Sequence, residues 1–277
     1  MVLLTRRQHS RTRAYINTSS ENLTKSTKIA TFWRVLTKEI KMLKAVIFDL
    51  DGTLLPMSED EFTKGYFALL CKKLAKYGFD KDELVETIWR GTKAMITNDG
   101  ARTNEEAFWN VFCEKYGQKG IDAKALFDEF YVTEFKQAKV FCKENAFAKP
   151  IVTEIRKSGV KTILASNPVF PRDGMLTRMS FVNLCENDFD YITSYETSRY
   201  AKPNPAFLLE VLEKNGLQKD EVIYFGNSEK EDLIPATKAG VKCFMVGDNV
   251  SLINRDSAPE ILKYPDISGV VNKYIGG

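Results

Sequence analysis

Short, almost unbroken apolar runs recur along the chain at Ala45-Val46-Ile47-Phe48, Thr162-Ile163-Leu164-Ala165, Tyr191-Ile192-Thr193, Val222-Ile223-Tyr224-Phe225 and Cys243-Phe244-Met245-Val246. Runs of this length without polar alternation predict strands buried on both faces, the habit of parallel sheets covered by helices. Between the later runs apolar positions return at helical spacing. One helix is expected through Ile151 and Ile155 to Gly159, one from Pro205 to Asn215 capped by Gly216, and one over residues 229 to 239 ending at Gly240. Strand and helix in alternation predict the α/β class, with a doubly wound parallel sheet.

The stretch between the first two runs breaks that rhythm and is helical throughout. Segments start near Glu59, Asp82, Asn104 and Asp122, with breaks at Gly78, Asn98-Asp99-Gly100 and Gly117 to Gly120. Leu84, Ile88 and Trp89, then Phe108, Trp109 and Phe112, lie at near-helical spacing and are read as packing positions, without a cofactor box. So long a helical insertion exceeds an ordinary crossover and predicts a small all-helical domain over the sheet. The expected division is 42–56 and 140–277 for the α/β core, with 57–139 as a helical cap. The tail after Gly247 is expected to be loops and one short helix.

Charge changes the picture at one end only. Of the 40 Lys/Arg and 37 Asp/Glu, nine and two fall within residues 1–41, so the formal +3 comes from a basic head on an acidic body. A nucleic-acid or membrane-surface role for the body is therefore not expected. Residues 1–41 are read as a basic extension outside the fold, with translation expected to begin at Met42. The 277 residues, 44% hydrophobic and 12% aromatic, suffice for a large domain and a smaller one. No apolar run approaches the ~20 residues of a transmembrane helix. The five cysteines are scattered without a CxxC spacing, as reduced thiols of a cytoplasmic protein would be. The single histidine is His9, so chemistry in the body falls to carboxylates and lysines.

Asp49-Leu50-Asp51-Gly52-Thr53 places two carboxylates and a tight turn at the carboxyl end of the first apolar run, where open α/β sheets bind ligands. Gly52 permits the sharp turn that aims both acids into one crevice. A carboxylate nucleophile needs a second group to protonate the leaving oxygen and then activate water, and a neighbouring carboxyl supplies one. An Asx turn without catalytic duty is the other use of Asp-Gly.

This segment resembles the first motif of the haloacid dehalogenase-like hydrolase superfamily, a strand followed by Asp-x-Asp-Gly-Thr, and the resemblance runs from residue 43 to about 250. It implies that Asp49 attacks phosphorus to form an aspartyl-phosphate and that Asp51 is the proton shuttle. The superfamily's second motif, a Ser or Thr ending the next core strand, is matched by Ser166-Asn167, which implies hydrogen bonds to the phosphoryl group. Its third, a Lys ahead of a helix, is matched by Lys202-Pro203, whose ammonium would neutralise phosphoryl charge. The fourth is normally Gly-Asp-Ser-x-x-x-Asp, and here Gly226-Asn227-Ser228 leads to Asp232 with Asn227 in the place of the first acid.

The resemblance further implies Mg²⁺ at Asp49, the Asp51 backbone carbonyl, Asn227 and a phosphate oxygen, with Asp232 supplying charge at the metal directly or through water. Asn227 adds no charge, so a silent binding protein stands as one alternative. Asp51 points to phosphoryl rather than halide chemistry, because the superfamily's dehalogenases lack a carboxyl there. The expected activity is hydrolysis of a small phosphorylated metabolite, with a sugar-phosphate mutase of the same architecture as the other alternative. Arg90, Lys93 and Arg102 are candidate substrate-facing cations in the cap, although a surface charge is the more ordinary use of each. Oligomeric state is not legible.

Overall fold

Ala45, Val46, Ile47 and Phe48 are completely buried, as an apolar run without a polar break requires, and form the central strand β1 (Ala45–Phe48). The computed structural model describes residues 42–253 and 259–275, so the expectation for residues 1–41 lies outside the described residues. The other strands are β2 (Lys161–Leu164), β3 (Tyr191–Ile192), β4 (Val222–Gly226), β5 (Lys242–Val246) and β6 (Ile261–Leu262). All pair in parallel in the order β3-β2-β1-β4-β5-β6. The chain winds outward from β1 to one side and then from β4 to the other. A switch point therefore lies between β1 and β4, where α/β sheets open a ligand crevice. Register aligns Phe48 with both Leu164 and Phe225, so the carboxyl ends of β2, β1 and β4 lie abreast.

The helical insertion comprises α1 (Glu59–Ala75), α2 (Lys81–Ile96), α3 (Asn104–Tyr116) and α4 (Gln118–Val132), followed by a 3₁₀ segment, Glu134–Phe141. Local chemistry starts these helices. Asp80 accepts the Asp82 and Glu83 amides at the head of α2, and Thr103 with Glu106 forms a capping box on α3. The fourth helix begins at Gln118 rather than near Asp122. Gly117, at φ 56°, makes the turn alone, while Gly120 sits inside the helix where a Cβ would lie 3.1 Å from the Cys113 Cα. Helical structure continues to Phe141, past the expected boundary at 139. There the two connections run side by side, with Met57 bridged to Cys142 and the Lys143 amide donating to the Pro56 carbonyl.

Beyond the insertion come α5 (Ala148–Lys157), α6 (Arg172–Ser180), α7 (Ala206–Lys214), α8 (Ile234–Ala239) and α9 (Asp266–Asn272). Residues 229–239 are not one regular helix, since a π-helical turn, Glu229–Leu233, precedes α8. Neither α6 nor β6 was expected from the sequence. The apolar pattern in 172–180 is weak, and a two-residue edge strand shows no periodicity. Aromatic side chains join the insertion to the sheet: Phe170 packs against Tyr66, Tyr131 and Phe135, with ring centroids 5.5, 6.1 and 6.1 Å apart. Among the described residues no helix is long and apolar enough to cross a membrane.

Candidate active site

Where β1 ends, the Leu50 carbonyl accepts the Thr53 and Leu55 amides and the Gly52 amide donates to the Leu55 carbonyl, closing a tight loop. Gly52 has φ 81°, and a Cβ there would stand 2.2 Å from Asn227 Nδ2, so both conformation and space require glycine. The loop points Asp49 and Asp51 into the crevice at the ends of β2 and β4. Ser166 and Asn227 each stand two residues beyond the aligned strand ends.

Lys202 lies at the centre. Its Nζ donates to Asp49 Oδ1 at 2.6 Å and to Asp232 Oδ1 at 2.7 Å, and all three side chains are almost wholly buried. Its loop is anchored by the Lys202 amide donating to Asn167 Oδ1 at 3.1 Å. Burial works against the ammonium, but the carboxylates of Asp232 and Asp49 outweigh it and hold its proton more tightly than usual. Burial pushes the Asp49 carboxyl up, against the pull of Lys202. Thr53 Oγ1 lies 2.9 Å from Asp49 Oδ2 and 3.1 Å from Asn227 Oδ1. One hydroxyl proton cannot serve both acceptors, so one oxygen retains unmet capacity at any moment.

Asp51 Oδ2 accepts from Ser166 Oγ at 3.4 Å and is paired with Arg178 Nη1, while Asp51 Oδ1 is buried and has no hydrogen-bond partner among the described residues. Arg178 went unnoticed in the sequence. It is 1% exposed, projects from the unforeseen α6, and lays its guanidinium 4.2 Å from the centroid of Phe170. Met175 and Met179, four residues apart after Pro171, were the available signal for that helix.

The expected residues thus come together, with one revision. Asp232, expected at the metal, has both oxygens engaged: Oδ1 by Lys202 and by the Tyr224 hydroxyl at 2.5 Å, Oδ2 by the amides of Asn227 and Ser228 at 3.0 and 2.9 Å. So many donors make it an anchor for Lys202 and for the Asn227 loop rather than a free ligand. Asn167 Nδ2 is turned toward Glu231 Oε2 at 3.5 Å. Arg90, Lys93 and Arg102 are exposed surface charges. Phe108 and Phe112 pack as expected, but Trp89 is 52% exposed, against the expectation of packing.

A divalent cation suits what remains. Asn227 Nδ2 donates to the Asn249 carbonyl at 2.9 Å, which turns Asn227 Oδ1 toward Thr53 and Asp49. A carboxylate and two carbonyl oxygens are hard donors that leave room for water or phosphate oxygen. Among the described residues, the carboxylates of Asp49, Asp51 and Asp232 pair with two side-chain cations, Lys202 and Arg178. Lys202 and Arg178 do no more than offset the acids around them, so an arriving phosphate dianion would meet no net positive charge unless a cation came with it.

The chain is similar in sequence to named phosphatases. A phosphoglycolate phosphatase of Photorhabdus laumondii is 25% identical over 225 residues, covering 79% of this chain and 89% of that protein. A glyceraldehyde 3-phosphate phosphatase of Methanothermobacter thermautotrophicus is 24% identical over 232 residues, covering 78% and 90%. Among solved structures, a HAD phosphatase from Thermococcus onnurineus matches with a TM-score of 0.53 at 18% identity, covering 83% of this chain and 98% of that one. A 2-haloacid dehalogenase from Pseudomonas syringae pv. Tomato matches with a TM-score of 0.54 at 20% identity, covering 83% and 97%, and both likenesses show the shared fold. Because the family model of the haloacid dehalogenase-like hydrolases matches residues 46–246, from β1 to the end of β5 with every residue of the site between, the chain belongs to that family of hydrolases.

Proposed function

We propose that this chain is a Mg²⁺-dependent phosphomonoester hydrolase that works through an aspartyl-phosphate on Asp49. The observation that carries this is Asp51, a carboxyl group two residues from Asp49, held by Arg178 and Ser166 on one oxygen and, among the described residues, unpartnered on the other. Asp49 attacks phosphorus as the bond from phosphorus to the ester oxygen breaks, and Asp51 delivers a proton to the departing oxygen. Asp51 then takes a proton from the water that attacks phosphorus, releasing phosphate and restoring the Asp49 carboxylate. Lys202 neutralises charge on the phosphoryl oxygens, and the Ser166 hydroxyl turns from Asp51 to donate a hydrogen bond to them. Asp49, the Asp51 carbonyl and Asn227 would hold Mg²⁺, which supplies positive charge to the phosphoryl oxygens when bound. Asp232 positions Lys202 and the Asn227 loop. The insertion, 57–139 continued to Phe141, acts as a cap that excludes water and reads the leaving group.

The names of the relatives, both phosphatases of small phosphomonoesters, support this assignment. Five unpaired cysteines support a cytoplasmic location. Incubating the protein with Mg²⁺ and an aryl phosphate, beside Asp49→Asn and Asn227→Asp variants, tests the proposal. Release of free phosphate that falls at least about a thousandfold in Asp49→Asn is expected. Turnover absent from the natural chain but present in Asn227→Asp would instead identify a silent binding protein. Phosphoryl transfer within a hexose phosphate without net release would identify a mutase.

A further inference from the structure

Between the helical insertion and the loop that follows Ser166-Asn167 lies a cavity of about 170 Å³. Ten of its fifteen lining residues are aromatic and none is charged. Trp89 and Trp109 come from α2 and α3, Tyr66 and Tyr131 from α1 and α4, and Phe170 from the loop beyond Ser166. Several polar atoms of the wall are already matched, with the Tyr66 and Tyr131 hydroxyls 3.0 Å apart and Trp109 Nε1 donating to the Tyr195 hydroxyl at 3.3 Å. Such walls leave a few hydroxyl contacts for an occupant and nothing that neutralises a charge.

The cavity adjoins the reaction centre. Phe170 forms part of its wall and lies against Arg178, which holds Asp51. Val169, also in the wall, is three residues beyond Ser166, so the two are at most about 11 Å apart along even a fully extended chain. The wall formed by Val169 and Phe170 is thus the part of the cavity that meets the Asp51 end of the site.

We infer that the leaving group of the substrate is an uncharged, apolar moiety about the size of one six-membered ring, a deepening that rests on the phosphomonoesterase assignment. Size argues for it, since an apolar cavity of about 150 Å³ is known to take benzene. Charge argues for it too. A carboxylate such as that of phosphoglycolate would surrender its hydration here with no cation in return, an unfavourable transfer that forces the group toward its neutral form. Aromatic rings in the wall offer an apolar ring favourable stacked and edge-on contacts. The substrate class is therefore a phosphate ester of a ring-bearing or compact branched alcohol, in contrast to the carboxylated ester in the name of the phosphoglycolate relatives.

The test compares kcat/KM for benzyl phosphate and 2-phosphoglycolate under the same Mg²⁺ concentration, and separately titrates cyclohexanol against the Trp fluorescence of an Asp49→Asn, Trp33→Phe protein, in which Trp89 and Trp109 report. At least a tenfold preference for benzyl phosphate and a saturable fluorescence change are expected. A Thr92→Arg change, which puts a cation on the cavity wall, should narrow or reverse the preference. Equal or better turnover of 2-phosphoglycolate by the natural chain overturns the inference and leaves the hydrolase assignment standing. A saturable fluorescence change without hydrolysis of any ester supports the pocket's preference and overturns the hydrolase assignment. No turnover and no fluorescence change overturns both.

Discussion

At the scale of single residues, the Arg178–Asp51 pair carries the most consequence. Arg178 is 1% exposed while the Asp51 side chain keeps 21% exposure, so the two ends of the pair are unequally desolvated. Removing Asp51 strands a buried guanidinium, a change that typically costs about 3–5 kcal/mol. Removing Arg178 leaves a carboxylate that water can reach, at a smaller cost. Urea denaturation of Asp51→Ala, Arg178→Met and the double variant should therefore give a coupling energy of about 1–3 kcal/mol, with the double variant more stable than additivity allows. Strict additivity would mean that the pair is no more than a surface contact. Arg178 also shows how far single positions could be read beforehand. Asp49 and Asp51 were recognisable from the apolar strand and tight turn that carry them, and Ser166, Lys202, Asn227 and Asp232 from their resemblance, in order, to the superfamily's later motifs. An arginine inside a helix carries no such marker.

At the scale of elements, the strands were plain because burial on both faces leaves an uninterrupted apolar run. The helix over Arg172–Ser180 was not, because it buries Arg178 and Thr177 among its apolar residues and so blurs its own periodicity. Close helix packing is written in small residues instead. A Cβ on Gly91 of α2 would lie 2.6 Å from Phe108 Cδ2 of α3, and one on Gly65 of α1 would lie 2.0 Å from Phe141 Cε2. Alanine is better than glycine in a helix by about 1 kcal/mol, whereas overpacking a filled interface costs about 1–3 kcal/mol. Gly91→Ala is thus expected to lower thermal stability, as read by circular dichroism. A rise in the midpoint would show that Phe108 yields without cost.

At the scale of the molecule, one hydrophobic cluster runs from Val46, Phe48 and Phe225 of the sheet through Leu54 and Phe181 to Phe112 and Phe130 of the insertion. Joined by two adjacent connections and a shared core, insertion and sheet should unfold together. In a Trp33→Phe protein the remaining tryptophans in described regions, Trp89 and Trp109, both report on the insertion, while far-ultraviolet circular dichroism reports on the whole. Coincident urea midpoints are expected. Fluorescence that changes at distinctly lower urea would establish the insertion as a separately unfolding unit.

Sequence by itself determined the parallel sheet, the acidic loop after β1 and the order in which the site residues arrive, because apolar runs and fixed offsets from strand ends are local properties. It also marked Asn227 as the departure from the usual acid. Tertiary structure alone decided three things: that Arg178 holds Asp51 across 127 residues of chain, that Asp232 spends both oxygens on Lys202, Tyr224 and the Asn227 loop, and that aromatic side chains from four helices enclose an uncharged cavity beside the site. Each depends on side chains brought together by packing from distant elements, and no short-range spacing encodes which of them meet.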